Sequence, residues 1–280
     1  MCFAIYRGVE KLAFRQSHKL KVVGSNPTPA TMNKYQMKIK LPEDLLWMCP
    51  IAVPDLVRLG GQMDGGYLVP QTAVNHAQGL LSFGLGDDFT FDQDWHKLKP
   101  ADPIHMYDAS VKYESLRIRV NTGVRGGIDI KSEYQQFFQG AVRHWEEFIG
   151  PNNFAEALDR IGVDQVFIKM DIEGSEYPLI DLFVEHHQRI VGIAMEWHDC
   201  ANRDPKWKAA VDKLQQHFDI VHLHGNNHVT PDAEGIFGCM ELTHIRKDLV
   251  NTRELRKQIH IPDLDYSNVH GWDDYEYYFE

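Results

Sequence analysis

From Leu45 onward, short apolar runs rich in β-branched and aromatic residues alternate with longer stretches whose apolar positions recur every three or four residues. The first pattern predicts strands and the second amphipathic helices. Leu80 to Phe83 is one such run and ends in Gly84-Leu85-Gly86, while Ile104 to Tyr107 ends at Asp108 and Val166 to Met170 at Asp171. Ile190 to Met195 ends at Glu196, Ile220 to Leu223 runs into His224-Gly225-Asn226-Asn227, and Cys239 to Ile245 closes the series. Strands alternating with helices imply parallel strands joined by crossovers. In such sheets the ligand crevice lies outside the carboxyl ends of the strands, so the residues trailing each run are expected to converge on one site.

The expected helices have readable faces. Phe154, Ala157, Leu158 and Ile161 form a stripe, with a capping-box spacing at Asn153 and Glu156 and a stop at Gly162. Trp207, Ala210, Val211, Leu214 and Phe218 form a second stripe after Pro205, and Tyr134, Phe137, Phe138, Val142, Trp145 and Phe148 a third. All three are expected to face the core. Asp64-Gly65-Gly66 signals a hairpin turn with Tyr67 to Val69 as the returning strand, placed to lid a site. The segment from Asp263 to Glu280, acidic and aromatic, is expected to be irregular.

Composition breaks sharply near the start. Residues 1–31 carry a net +4, against −11 for the 280-residue chain. They lack the apolar core of a secretory signal. Gly24-Ser25-Asn26-Pro27 is what the T-arm of a transfer RNA gene encodes in one reading frame, and that frame continues through an encoded CCA end into the ATG of Met32. Residues 1–31 are therefore expected to be a non-native or disordered extension of prokaryotic origin, with Met32 or Met37 as the true start. Residues 32–280 are expected to form a single domain with its core at about 56–245.

The net charge of −11 argues against phosphate-directed nucleic-acid binding, which requires a clustered basic face. No apolar run reaches membrane-spanning length. Cys2, Cys49, Cys200 and Cys239 are widely separated and form no C-x-x-C pair, so a reducing cytoplasm is the expected setting.

The glycine turn Gly84-Leu85-Gly86 lets a ligand approach the backbone, and Asp108, at the end of the following strand, suits ribose hydroxyls. Neither the third glycine of the dinucleotide fingerprint nor a G-K-[ST] follows, so an adenosine-containing ligand is favoured over a pyrophosphate or triphosphate. Asp171 and Glu173 are expected to face the crevice, with Glu176 along the following helix. Alternation puts Glu196 and His198 on one side, making His198 the general-base candidate with Glu196 to orient it. His222, His224 and His228 offer a minority metal-binding reading.

Together Asp64-Gly65-Gly66-Tyr67, Ser82-Phe83-Gly84-Leu85-Gly86-Asp87, Phe91-Asp92, Tyr107-Asp108, Lys169-Met170-Asp171-Ile172-Glu173-Gly174-Ser175-Glu176, Glu196-Trp197-His198 and His224-Gly225-Asn226-Asn227 resemble the FkbM-like branch of S-adenosylmethionine-dependent methyltransferases. The resemblance implies a Rossmann-like class I methyltransferase fold, an α/β architecture with a seven-stranded, mostly parallel sheet whose last strand is antiparallel. It implies O-methylation of a hydroxyl on a small molecule or saccharide. It assigns Gly84 and Gly86 to the cofactor's amino-acid portion, Asp108 to the ribose, Asp92 to the methionine end and Asp171 to the methyl group. Catalysis falls to His198, Asp171 and Glu196, with S-adenosylmethionine as cofactor and a divalent metal not favoured. Tyr107-Asp108-Ala109 departs from the Phe-Asp-Pro of related sequences. Two other readings compete: a metal-dependent hydrolase using Asp171, Glu196, His198 and His224, and a non-catalytic nucleoside-binding module.

Overall fold

The chain enters the described region as a strand, β1 (Met37–Lys40), and the computed structural model describes residues 37–116, 118–119, 128–201, 204–228 and 230–279. The expectation for residues 1–31 lies outside them. β2 (Leu56–Leu59) and β3 (Tyr67–Pro70) form the hairpin, followed by α1 (Gln71–His76), β4 (Gly79–Phe83), α2 (Thr90–Leu98), β5 (Ile104–Tyr107), and the short β6 (Ile118–Arg119) and β7 (Ile128–Asp129). Then come α3 (Ile130–Phe137), β8 (Val142–Trp145), α4 (Phe154–Arg160), β9 (Val166–Met170), α5 (Ile180–Glu185), β10 (Ile190–Trp197), α6 (Pro205–Leu214), β11 (Phe218–Gly225), β12 (Met240–Arg246) and β13 (Tyr275–Tyr278).

The central sheet has seven strands in the order β11-β12-β10-β9-β4-β5-β8. β4 runs parallel to β5 and β9, β5 to β8 and β9 to β10, while β12 is antiparallel to both β10 and β11. This is the Rossmann-like class I methyltransferase fold, with the last strand of the sheet inserted antiparallel between its two predecessors. From β4 the chain first builds outward through β5 and β8, then returns to add β9 on the other side. The strand order therefore reverses at β4, and the crevice at its carboxyl end is the topological switch point.

Alternation along the strands sends side chains to two cores. On one face Phe83, Ile168, Met170, Met195 and Leu242 pack with Phe154, Leu158, Phe183, Trp207 and Val211 from α4, α5 and α6. On the other, Leu80, Ile104, Met106, Phe167 and Ala194 pack with Val69, Val74, Phe91 and Trp95 from the hairpin, α1 and α2. Each such fully buried side chain contributes roughly 1.5–3 kcal/mol.

Several sequence expectations need correction. The aromatic stripe from Tyr134 to Phe148 is not one helix: α3 stops at Phe137, Gly140 adopts φ +61, and Val142–Trp145 forms the edge strand β8. Val142-Arg143-His144-Trp145 is too short to show either period by itself, and Gly140, two residues past the helix's C-terminal cap at Phe138, turns the chain into the strand. Phe148 is exposed. Phe218 opens β11 and does not extend α6. At Asn153 no side-chain cap forms. Its Oδ1 accepts from the Gly150 amide at 2.9 Å and its Nδ2 donates to the Phe148 carbonyl at 3.0 Å, while Glu156 pairs with Arg160.

The C-terminal segment is more ordered than expected. β13 pairs in parallel with β1, and the stretch before it is pinned to the sheet by buried polar contacts. His222 Nε2 lies 2.9 Å from Asp265 Oδ1, and Asn227 Nδ2 donates to Ser267 Oγ at 2.8 Å. Burial alone would raise the Asp265 carboxyl, but His222, and then His224, hold it well below the usual carboxylate range. A carboxyl depressed on folding stabilises the native state above its unfolded pKa of about 3.9 and loses that contribution as pH falls further. Asp265→Asn is therefore expected to cost about 3–5 kcal/mol near neutral pH and to flatten the fall in stability below about pH 4. Urea midpoints compared at neutral and acid pH test this; parallel pH dependence in the two proteins would contradict it.

Candidate functional site

At the switch point the turn after β4 and the end of β5 are in contact. The Leu85 and Gly86 amides each donate to Asp108 Oδ2 at 3.1 Å, and the Ser110 amide and hydroxyl donate to Oδ1 at 2.7 and 2.6 Å. Burial opposes the ionised form of Asp108, but these donors outweigh it and lower its pKa. An acid at the end of the second strand thus grips the glycine turn at the end of the first. The two glycines differ in purpose. Gly84 has φ +85, and a Cβ there would stand 1.7 Å from the Asp171 carbonyl oxygen, so it lets β4 and β9 approach at their ends. Gly86 has φ +57 with no atom nearer than 4.0 Å to a Cβ, so its face of the turn is open.

Next to the turn the strands carry a row of polar groups. Phe83 pairs with Met170, Met170 with Met195 and Met195 with Leu242. The residues one step beyond are Gly84, Asp171, Glu196 and Glu241, and Glu241 pairs in turn with His224 of β11. Register therefore sets Asp171, Glu196, Glu241 and His224 side by side on one face of the carboxyl edge. Two residues back on that face lie Ser82 and Lys169. Lys169 is 5% exposed, and its ammonium donates to the Gly84 carbonyl at 2.9 Å. Asp92, from α2, is buried beside Ser82 and Lys169; desolvation raises its pKa to about 6, with Lys169 and Ser82 opposing.

Burial also raises Asp171, with Lys169 and His198 opposing. Glu196 is pushed well above the usual carboxylate range by burial and by the charges of Asp171, Glu241 and Asp64. His198 follows β10, beside Glu196. Its Nδ1 lies 3.0 Å from Glu176 Oε1 and its Nε2 3.3 Å from Glu196 Oε1. Burial would lower the His198 pKa, but Cys239, Glu176 and Glu196 push it up to about 12. Glu176, expected along a helix, is instead fully buried and also accepts from the Gly174 amide at 2.9 Å.

The hairpin reaches over this row. Arg58 donates to the carbonyls of Gly61, Met63 and Leu264, fixing the loop that carries Asp64. Asn226 Nδ2 bridges Asp64 and Glu196 at 3.3 and 3.0 Å, and Asn268 Nδ2 bridges Asp64 and Glu241 at 3.4 and 2.6 Å. The minority metal reading of the three histidines separates into distinct ion pairs. His222 faces Asp265, His224 sits between Glu241 and Asp274, and His228 lies 3.6 Å from Asp64. Among the described residues, the groups able to converge on a cation are Glu196, His198 and Cys239, and Asp64, Glu196 and Glu241. His224 is in neither, so the four-residue hydrolase set is not assembled.

Sequence reasoning brought Gly84, Gly86, Asp108, Asp171, Glu196 and His198 to one edge, but missed Lys169, Cys239, Glu241 and Asn268 as members. A signal for two of them was present. Cys239-Met240-Glu241 repeats the polar-apolar-polar alternation of Glu196-Trp197-His198 on what proves to be the adjacent strand.

No family model matches the chain, and no curated protein matches it. Among solved structures it resembles precorrin-6Y C5,15-methyltransferase from Geobacter metallireducens, with 14% identity over 63% of this chain and 85% of that one at a TM-score of 0.36. A DUF574-family protein from Streptomyces avermitilis gives 10% identity over 63% and 79% at 0.37, and the 23S rRNA methyltransferase ErmE 8% over 65% and 69% at 0.34. The strand order, and not these distant likenesses, identifies the fold. Among the described residues no helix is long and apolar enough to cross a membrane.

Gly84→Ala, which combines a left-handed φ with backbone overlap, is expected to cost on the order of 3 kcal/mol. Gly86→Ala, with φ alone against it, should cost about 1–2 kcal/mol. Urea unfolding with an unchanged m-value measures both; equal losses at the two positions would contradict the distinction.

Proposed function

We propose that the chain is an S-adenosylmethionine-dependent methyltransferase of FkbM-like type that methylates a hydroxyl on a small molecule or saccharide. The observation that carries this reading is the contact between the glycine turn and Asp108 at the switch point of a class I methyltransferase sheet. A carboxylate already seated against that turn is positioned to exchange its Ser110 or turn donors for ribose hydroxyls, and Gly86 leaves the adjoining backbone approachable. The net charge of −11 favours a neutral acceptor over a polyanion.

In the reaction the acceptor oxygen attacks the methyl carbon in line with the carbon–sulfur bond. When bound, adenosylmethionine would supply an activated methyl group: the C–O bond would form as the C–S bond breaks, sulfur keeping that bond's electron pair, and the acceptor's proton would pass to the row of Asp171, Glu196 and His198. The donor is already activated, so the protein contributes alignment, worth as much as about 7–11 kcal/mol in favourable cases, and proton handling. The second role is assigned to the polar row of Asp171, Glu196 and His198, which lies along the same carboxyl edge as the glycine turn. Asp92, buried under the turn with Lys169, supports the floor of the methionine end. A hydrolase built on His224 is not favoured, because both of its ring nitrogens face the carboxylates of Glu241 and Asp274.

Asp108→Ala is expected to weaken adenosylmethionine binding by roughly 1–3 kcal/mol through lost charged hydrogen bonds. Calorimetry on the folded variant measures it, and unchanged affinity would remove Asp108 from the ribose site. His198→Ala is expected to lower turnover by about 100-fold or more while changing cofactor affinity by less than about 2-fold. A wild-type rate at saturating acceptor would exclude His198 from proton handling.

A further inference from the structure

β10 and β12 end together, and their antiparallel register brings Cys239 up to Glu196 and His198 of the polar row. Trp197 pairs with Met240 and Glu196 with Glu241, so His198 and Cys239 are the next pair outward. Glu196 and His198 share one face of β10's end, as Cys239 and Glu241 share that face of β12. The result is a carboxylate, an imidazole and a thiol whose ligand atoms all lie within 4.8 Å of one another, with Glu196 buried and the other two partly so. Cys239 is a free thiol, unlike Cys200 in being reachable from outside the core.

The arrangement around these atoms is that of a supported metal centre. His198 Nε2 and Glu196 Oε1 are separated by 3.3 Å. This separation equals the edge of a tetrahedron whose corners stand about 2.0–2.1 Å from its centre, the Zn–N and Zn–O bond length. Every candidate ligand is oriented from behind. Glu176 accepts from His198 Nδ1 at 3.0 Å, which fixes the tautomer with Nε2 turned to the centre. Asn226 Nδ2 donates to Glu196 Oε2 at 3.0 Å, leaving Oε1 for the centre, and the Asn226 amide donates to the Cys239 carbonyl at 3.1 Å. Glu176 is 0% exposed and its Oε2 has no partner, an uncompensated acceptor behind the imidazole. Asp64, Asp171 and Glu241 add negative charge close to Glu196.

We infer that Glu196, His198 and Cys239 form a binding site for a divalent transition metal of zinc type, with Glu176 as the carboxylate that orients His198. Ligation requires a neutral imidazole and a thiolate, so metal affinity is expected to rise with pH. Three protein ligands leave a fourth position for a water or a hydroxyl, whose pKa the ion lowers. Use of that position to activate an acceptor hydroxyl rests on the methyltransferase reading; the site itself does not.

The test is a cobalt(II) titration of the full chain after metal is stripped with a chelator. One equivalent is expected to bind with a thiolate-to-cobalt charge-transfer band in the near ultraviolet, and zinc should bleach it. Cys239→Ser should abolish the band, and Glu196→Gln should weaken zinc binding about 100-fold. Glu176→Gln should weaken it about 10- to 100-fold without removing the band. Cys49→Ser is the neutral control, and thermal melts confirm that each variant is folded. A folded wild-type protein with no band, or a band that survives Cys239→Ser, overturns the site. Calorimetry of the same stripped protein with adenosylmethionine reports separately. Cobalt binding without cofactor binding would sink the methyltransferase reading and leave the metal site standing; the converse result would do the opposite.

Discussion

Strand register is the constraint on which the rest depends. Because Phe83, Met170, Met195 and Leu242 lie abreast, the next residues outward, Gly84, Asp171, Glu196 and Glu241, must do so too. A slip of one residue in β9, β10 or β12 would turn its acid into the opposite apolar core and bring a Met or Leu to the crevice. The apolar alternation that builds the two cores thus also builds the polar edge. Buried like charges repel, and the edge is tolerable because cations and amides are interleaved with it: Lys169 beneath Gly84, His198 between Glu176 and Glu196, and the Asn226 and Asn268 amides between the acids.

This interleaving draws distant parts of the chain into the site. Asp64 arrives on a hairpin loop that Arg58 holds in shape, and Asn268 and Asp274 arrive from the C-terminal segment, which β13 anchors against β1. Segments without a place in the central sheet therefore cover its carboxyl edge. The acidic character of the C-terminal region reflects this: Asp265 and Asp274 face His222 and His224.

The strand ends were legible in the sequence because parallel strands buried on both faces read as continuous apolar runs, and the polar residue that closes each run marks the crevice. Asp108, Asp171, Glu196 and His198 were found that way. Helix against strand was not decidable for Val142 to Trp145, because four residues with Arg143 and His144 in the middle are too few to show either period. The contact of Glu176 with His198 was not legible, because the two residues are far apart in sequence. Cys239 and Glu241 escaped notice for a related reason: their alternation is visible locally, but its meaning lies in cross-strand pairing with His198 and Glu196. Asn268 lies beyond the resemblance altogether.

The central claim, that an adenosine-containing cofactor seats on the turn after β4 and the end of β5, is tested most directly by amide hydrogen exchange with and without adenosylmethionine. The account predicts slowed exchange in peptides covering residues 84–88 and 107–111, with little change near His187 and His217 at the far end of the sheet. No protection in those two stretches at a saturating cofactor concentration, or protection confined to the far end, would contradict it.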